Sequence, residues 1–195
     1  LKYCDGRLKA GEKLQYLLFI GDSSTVSEQR TGGMRESFGK SEYADSFGQI
    51  QSFQTDWSNA KALEQMEGWL NTASAEEVEG VDFIVTHDDE IIDGLYIALE
   101  GFAGTQNIKL MTSVGGRRET LDTFEKSDLG IDLVTYFFSP SMIRDAIRLG
   151  IADAKGEDYN GWKIEGGQYL IPTIEIDKDT LEAYRSSQEY TDRYS

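Results

Sequence analysis

Residues Val81–Gly94 read VDFIVTHDDEIIDG, an apolar strand that runs into a cluster of acids, with a helix opening directly behind them. Strands that are apolar throughout belong to parallel sheets covered by helices on both faces. Ligands of such open sheets sit outside the carboxyl ends of the strands, so Asp88 and Asp89 stand where binding or chemistry occurs. The same succession of strand, polar tip and helix recurs along the chain. Lys13–Gly21 (KLQYLLFIG) ends in the tip Asp22-Ser23-Ser24-Thr25, ahead of a helix over about 26–38. Ser46–Gln54 is a weaker strand, because Phe47 and Phe53 share one face while Ile50 falls on the other. Its tip offers Asp56 or Ser58 as the cap of a helix over 59–71, with Ala60, Leu63, Met66 and Leu70 on one face.

Beyond Val81–Thr86, a helix over 90–99 turns Ile91, Leu95 and Ala98 inward, and Asp89 reads as its cap. Ile108–Val114 is the fourth strand, followed by Gly115-Gly116-Arg117-Arg118 and a helix over 119–126 carrying Leu121 and Phe124. Leu133–Phe138 is the fifth, and Ser139-Pro140 opens a helix to about Ala154, with proline early in its first turn. Strands alternating with helices of this length predict an α/β fold, a doubly wound, three-layer, flavodoxin-like parallel sheet. The rhythm breaks in YLIPTIEI (169–176), where Pro172 removes a ladder donor and argues for an edge strand or a crossover. Residues 177–194 read as a polar, tyrosine-bearing terminal helix.

Composition bounds the function. A net charge of −16 with one histidine argues against nucleic acid and anionic membrane as partners, since both select for basic patches. Cys4 is the only cysteine, so no internal disulfide and no thiolate zinc cluster can form. No stretch approaches the roughly 18 uninterrupted apolar residues of a membrane span. The chain opens without a signal peptide or a clear helix cap, and reads as a piece of something longer. His87 with Asp88, Asp89 and Glu90 allows a metal-site reading, but four adjacent residues seldom converge on one ion. Asp56 and Asp88 on neighbouring tips allow a paired-carboxylate reading as in glycosidases, and His87 beside two acids a general-base reading. There is no G-x-S-x-G elbow, Walker loop or G-x-G-x-x-G fingerprint.

Taken in order, the tips carry Arg30-Thr31-Gly32-Gly33, Asp56-Trp57, HDDEIIDGLYIALEG, SVGG and FFSP. That succession resembles the C-terminal part of the type I periplasmic sugar-binding proteins. Ribose- and galactose-binding proteins belong to that group, and the sensor domains of LacI-type repressors share its fold. The strongest single match is Asp88-Asp89-Glu90 followed by Gly94 and Ala98-Leu99. The resemblance implies two α/β lobes joined by three crossovers, with ligand clamped between them. Residues 1–138 and 158–195 would form the C-terminal lobe, and 139–157 a helix that packs on an N-terminal lobe with no counterpart in this chain.

The resemblance also implies the site. Arg30 matches an arginine that hydrogen-bonds sugar hydroxyls, work that suits a fixed, permanently charged fork. Trp57 matches an aromatic that stacks on the sugar ring, and Asp88 replaces an asparagine, leaving an acceptor-only carboxylate. Ser24, Gly115 and Phe138 complete the implied ligand-binding set. Two positions depart from the pattern: Gly115 stands at the tip where the family shows a sugar-binding Asp, and Phe138 where it shows Gln. A glycine and a phenylalanine there mean fewer polar contacts and more apolar surface. The expectation is a non-enzymatic, cofactor-free and metal-free substrate-binding subunit of a sugar ABC importer. It would be extracytoplasmic, in the periplasm or as a cell-surface lipoprotein, with a monosaccharide or similar small ligand and the permease membrane subunits as partners. The alternatives are the effector-sensing domain of a LacI-type repressor or membrane sensor, and an enzyme on a flavodoxin-like scaffold.

Overall fold

A computed structural model of the 195-residue chain describes residues 2–102, 104–159, 164–165, 168–169 and 173–194. A short helix α1 (Asp5–Lys9) leads into β1 (Leu14–Ile20), α2 (Thr25–Gly39), β2 (Phe47–Gln54) and α3 (Asn59–Thr72). There follow α4 (Ala75–Glu79), β3 (Phe83–Thr86), α5 (Asp89–Glu100), β4 (Leu110–Gly115), α6 (Arg118–Glu125), β5 (Asp132–Phe137) and α7 (Met142–Lys155). A two-stranded hairpin, β6 (Ile164–Glu165) with β7 (Gln168–Tyr169), precedes β8 (Glu175–Ile176), α8 (Leu181–Arg185) and α9 (Gln188–Tyr194). The main sheet runs β2-β1-β3-β4-β5-β8. Its first five strands are parallel, and β8 joins antiparallel at the β5 edge. Strand order 2-1-3-4-5 is the flavodoxin-like winding, as the sequence leads one to expect.

Both faces of the sheet are covered, which explains the unbroken apolar runs. On one face α3 and α5 bury Met66, Trp69, Leu70, Ile91, Ile92, Leu95 and Leu99 against Leu17, Phe19, Ile84 and Met111. On the other, Leu8 of α1 and Met34 and Phe38 of α2 pack against Leu14, Tyr16, Leu18 and Phe83. A third cluster seats Tyr184 of α8 against Leu121, Phe137 and Ile176, so the terminal segment closes the β5 edge. By contrast α7 buries Leu149 and Ala152 but leaves Ile143, Ile147 and Ile151 at 65%, 57% and 50% exposure, an apolar stripe at helical spacing.

Several expectations need correction. In β2 the β1 register jumps from Gln49 to Gln51, so Ile50 is a bulged residue. The bulge reverses the alternation: Ile50 and Phe53 pack into the core on the α3 side, and Phe47 into the opposite one. In α3 the buried stripe is Ala62, Met66, Trp69 and Leu70, while Ala60 is exposed. Helix α4, unanticipated, is announced by a capping box in which Ser74 and Glu77 satisfy each other's backbone. The terminal helix is two helices, broken at Ser186 and Ser187. β8 is the edge strand expected of YLIPTIEI, but residues 170–172 of that segment, Pro172 among them, lie outside the described residues, as does Trp162.

Candidate functional site at the strand tips

The strand order reverses between β1 and β3, so their tips diverge and leave a crevice at the carboxyl edge of the sheet. Four chain segments meet there. After β1 the backbone turns at Gly21, where a Cβ would fall 2.2–2.4 Å from ring carbons of Trp57. Glycine is therefore the residue that lets an indole lie flat on the strand tip. Thr55 and Asp56 extend the β1–β2 pairing past the strands, donating to the Ile20 and Gly21 carbonyls at 2.9 and 2.6 Å. Asp56 and Trp57 then take φ of 50° and 60°. These left-handed conformations cost a non-glycine residue energy and gather where function requires a fixed side chain. The side chains of Ser24 and Trp57 beside the Asp22 carboxylate, with the Ser24 backbone N–H donating to it at 3.0 Å, hold its pKa at about 2. The ring thus lies over Gly21, with Asp22 beside it.

Arg30 projects from α2 into this crevice. Its Nη1 donates to the His87 carbonyl. The guanidinium carbon lies 5.4 Å from the Trp57 ring centroid and 5.5 Å from that of Phe138, which places the cation between two aromatic faces. Asp88 Oδ2 stands 3.9 Å from Nη1. Burial pushes the Arg30 guanidinium down and the Asp88 carboxyl up from their ordinary values, and each charge partly offsets that for the other. Of the residues expected from the sequence, Arg30, Trp57, Asp88 and Phe138 come together. Ser24 joins them indirectly, through Asp22.

Two readings of single residues are overturned. The cap of α5 is Asp88, whose Oδ1 accepts from the Glu90 N–H at 3.0 Å, while Asp89 is the first residue of the helix and fully buried. Asp89 ties the neighbouring tips: it accepts from the Thr135 hydroxyl and the Arg117 N–H, each at 2.8 Å. Gly115 belongs to this second cluster, because a Cβ there would lie 2.6 Å from the Asp89 carboxylate. It makes room for a buried acid on the far side of β3. Phe137, next to Phe138, is 6% exposed and packs on Tyr184, with ring centroids 5.7 Å apart. Ser58, one of the two expected caps, caps α3 by accepting from the Lys61 N–H.

The residue that sequence reasoning assigned worst is His87. Its ring is 2% exposed and faces inward. Nδ1 accepts from the Gly21 N–H at 3.3 Å and lies 3.2 Å from Ser27 Oγ, and Nε2 lies 3.1 Å from Thr31 Oγ1. Burial, reinforced by the nearby Arg30 charge, pulls its pKa down to about 4. A neutral, fully engaged imidazole is a poor general base for an external substrate. Among the described residues no three His, Cys, Asp or Glu side chains gather as a metal-binding set. The crevice instead offers a planar cationic fork, one carboxylate and two ring faces, the groups that recognise vicinal hydroxyls and the apolar face of a ring.

The fold is a flavodoxin-like α/β lobe that is similar to part of several solved sugar-binding proteins. Among solved structures, a Mycobacterium smegmatis protein in complex with β-D-fucofuranose superposes at a TM-score of 0.69 and 15% identity, over 98% of this chain and 58% of its own. The periplasmic binding protein of the arabinose ABC transporter from Shewanella sp. ANA-3, bound to α- and β-L-arabinofuranose, gives 0.68 and 21%, over 100% and 60%. The fructose-binding periplasmic domain of a hybrid two-component system gives 0.68 and 19%, over 94% and 56%. The chain thus spans less than two thirds of the length of each of these proteins. No protein-family profile matches the sequence, and no curated protein does.

Proposed function

We propose that this chain is the sugar-contacting lobe of a two-lobed, non-catalytic binding protein that takes up a monosaccharide or similar small polyol for ABC import outside the cytoplasm. The observation that carries the reading is the arrangement around Arg30: a guanidinium held between the Trp57 and Phe138 rings, with the Asp88 carboxylate beside it. That set pairs donors with an acceptor at balanced charge, which fits a neutral polyhydroxy ligand. Residues 139–157 form the segment that would pack on a second lobe, and the exposed stripe of Ile143, Ile147 and Ile151 supports this, since such a stripe is ordinarily buried. Ligand bridging the two lobes would close the hinge, and the closed form would engage the permease subunits. A sensor role is the second reading, favoured by the match to a sugar-binding domain of a two-component system.

The test is a titration of this chain with L-arabinose, D-galactose and D-fructose at millimolar concentration, following the Trp57 indole N–H resonance by NMR. One sugar is expected to shift it in a saturable way, with weak affinity because one lobe supplies about half of the contacts. Trp57→Ala abolishes the reporter, so the second readout is the Arg30 Nε–H resonance, and Arg30→Ala removes the response of Trp57. Failure of all three sugars to move either resonance overturns the reading.

A further inference from the structure

We propose that the His87 imidazole is the positioning group of this site, a neutral latch that fixes Arg30 and Trp57 together and releases both when it takes a second proton. The consequence for ligand rests on the binding reading above, whereas the latch itself rests on geometry alone. The Gly21 N–H donates to Nδ1, so that nitrogen is unprotonated and the ring hydrogen sits on Nε2, which donates to Thr31 Oγ1. Each of these partners adjoins a site residue. Gly21 is the platform under Trp57, whose ring centroid lies 6.2 Å from that of His87. Thr31 follows Arg30 in α2, and the His87 carbonyl is the acceptor of the Arg30 guanidinium. One side chain therefore joins the tip of β1, the helix that carries the cation and the tip of β3.

A proton on Nδ1 would set two N–H groups against each other at the Gly21 contact and place a second cation beside Arg30. The charged groups acting on the ring are Arg30 from α2 and Asp22 from the β1 tip, with Asp88 adjacent in the chain and paired to Arg30, and uncharged Ser27, Thr31 and Trp57 complete the enclosure. Asp22 favours the imidazolium, while burial and Arg30 oppose it more strongly.

The test needs no ligand. The Trp57 indole N–H and Arg30 Nε–H resonances are followed from pH 7 to 3.5 in the wild-type chain, in His87→Gln and in Asp88→Asn, with the Trp69 indole reporting that the core persists. A glutamine amide accepts from Gly21 and donates to Thr31 but does not titrate. The wild type and Asp88→Asn are expected to show both resonances moving along one curve near pH 4, and His87→Gln to show wild-type positions at pH 7 and no such curve. Identical curves in His87→Gln, which would assign them to Asp22 or Asp88, overturn the proposal. So does a flat wild-type profile. At pH 7, His87→Leu is expected to displace both resonances; should it fail to fold, the Gln comparison decides. If a sugar binds, His87→Leu weakens it about tenfold, the equivalent of one net hydrogen bond, and His87→Gln restores it. Sugar binding with no latch behaviour removes this inference and leaves the binding reading. A latch without any sugar response does the reverse.

Discussion

Two arginines, Arg30 and Arg117, stand at neighbouring crevices of the same sheet edge and are used in opposite ways. Arg117, between β4 and α6, pairs its guanidinium with Glu90 and with Asp93 at 3.0 Å, while Thr120 donates to the same Asp93 at 2.7 Å. Beneath it Asp89 joins the Arg117 backbone to Thr135. That crevice pairs its charged groups with one another. Arg30 makes one hydrogen bond among the described residues, to a carbonyl, and has its nearest carboxylate at 3.9 Å and two aromatic faces beside it. Ring faces hold a cation without consuming its N–H donors, so the β1/β3 crevice keeps donors for something outside the lobe. One fold thus yields a structural tip and a receptive tip, and the difference lies in what each cation is paired with.

The largest effect should come from breaking the self-paired tip. Asp89→Ala removes a fully buried acid and leaves the Thr135 hydroxyl and the Arg117 N–H without their acceptor in the interior. A loss of about 2–4 kcal/mol in urea unfolding is expected, with the Trp57 and Arg30 resonances of any folded protein little changed. A loss below about 1 kcal/mol would show that water replaces Asp89 easily and that the tip does not depend on this pairing.

Acid should act on the other tip. The chain has a single histidine, and its folded pKa of about 4 lies below the ordinary value of 6.5. The unfolded chain therefore binds this proton first, and the contribution of His87 to stability, full above pH 6.5, is lost as pH falls towards 4. The magnitude is about 3 kcal/mol between pH 7 and 4. Asp88 and Asp93, both pushed up by burial, work in the opposite sense over the lower part of that window. Chemical unfolding at intervals of pH in the wild type and His87→Gln isolates the term: the decline between pH 6.5 and 4.5 should be shallower in the variant. Parallel curves would mean that the imidazole is hydrated and titrates normally.

Gly21→Ala sharpens the comparison at the receptive tip, because the new methyl group meets the Trp57 ring rather than a flexible chain end. Overpacking of this kind costs about 1–3 kcal/mol, and the ring must shift off the strand tip. The same methyl at Gly115 would meet Asp89, so Gly115→Ala should destabilise without altering the Trp57 indole resonance. If both substitutions move that resonance equally, the two tips are coupled and the contrast between them fails.

What the sequence revealed follows from the range of the interactions involved. The strands and their order of tips were legible because apolar runs and glycines act locally; Asp88 followed from its place at a strand tip, whereas Arg30, Trp57 and Phe138 came from the resemblance of the succession of tips to a known family. The exchange of roles between Asp88 and Asp89 was not legible, since a shift of one residue in the helix start decides which acid caps and which is buried. The bulge at Ile50 left only an imperfect alternation as its sign. His87 was misread because its partners Thr31 and Gly21 lie 56 and 66 residues away, a distance over which periodicity carries no information. Four adjacent polar letters suggested a shared external role; packing turned two of them, His87 and Asp89, inward.

The smallest expected change in stability separates the two arginines most directly. Arg117→Ala removes a partly exposed pairing with two acids, and such pairs contribute up to about 1 kcal/mol each. The Asp89 bond survives because it uses the Arg117 backbone. Arg30→Ala removes contact with two rings and one hydrogen bond from a crevice open to solvent, and leaves Asp88 still capping α5. Its cost should be under about 1 kcal/mol, with the midpoint of urea unfolding close to that of the wild type. Sugar response should behave inversely: retained in Arg117→Ala and absent in Arg30→Ala. A protein in which Arg30→Ala unfolds as readily as Asp89→Ala would show that this cation, too, is an internal tie, and the β1/β3 crevice would lose its distinction from its neighbour.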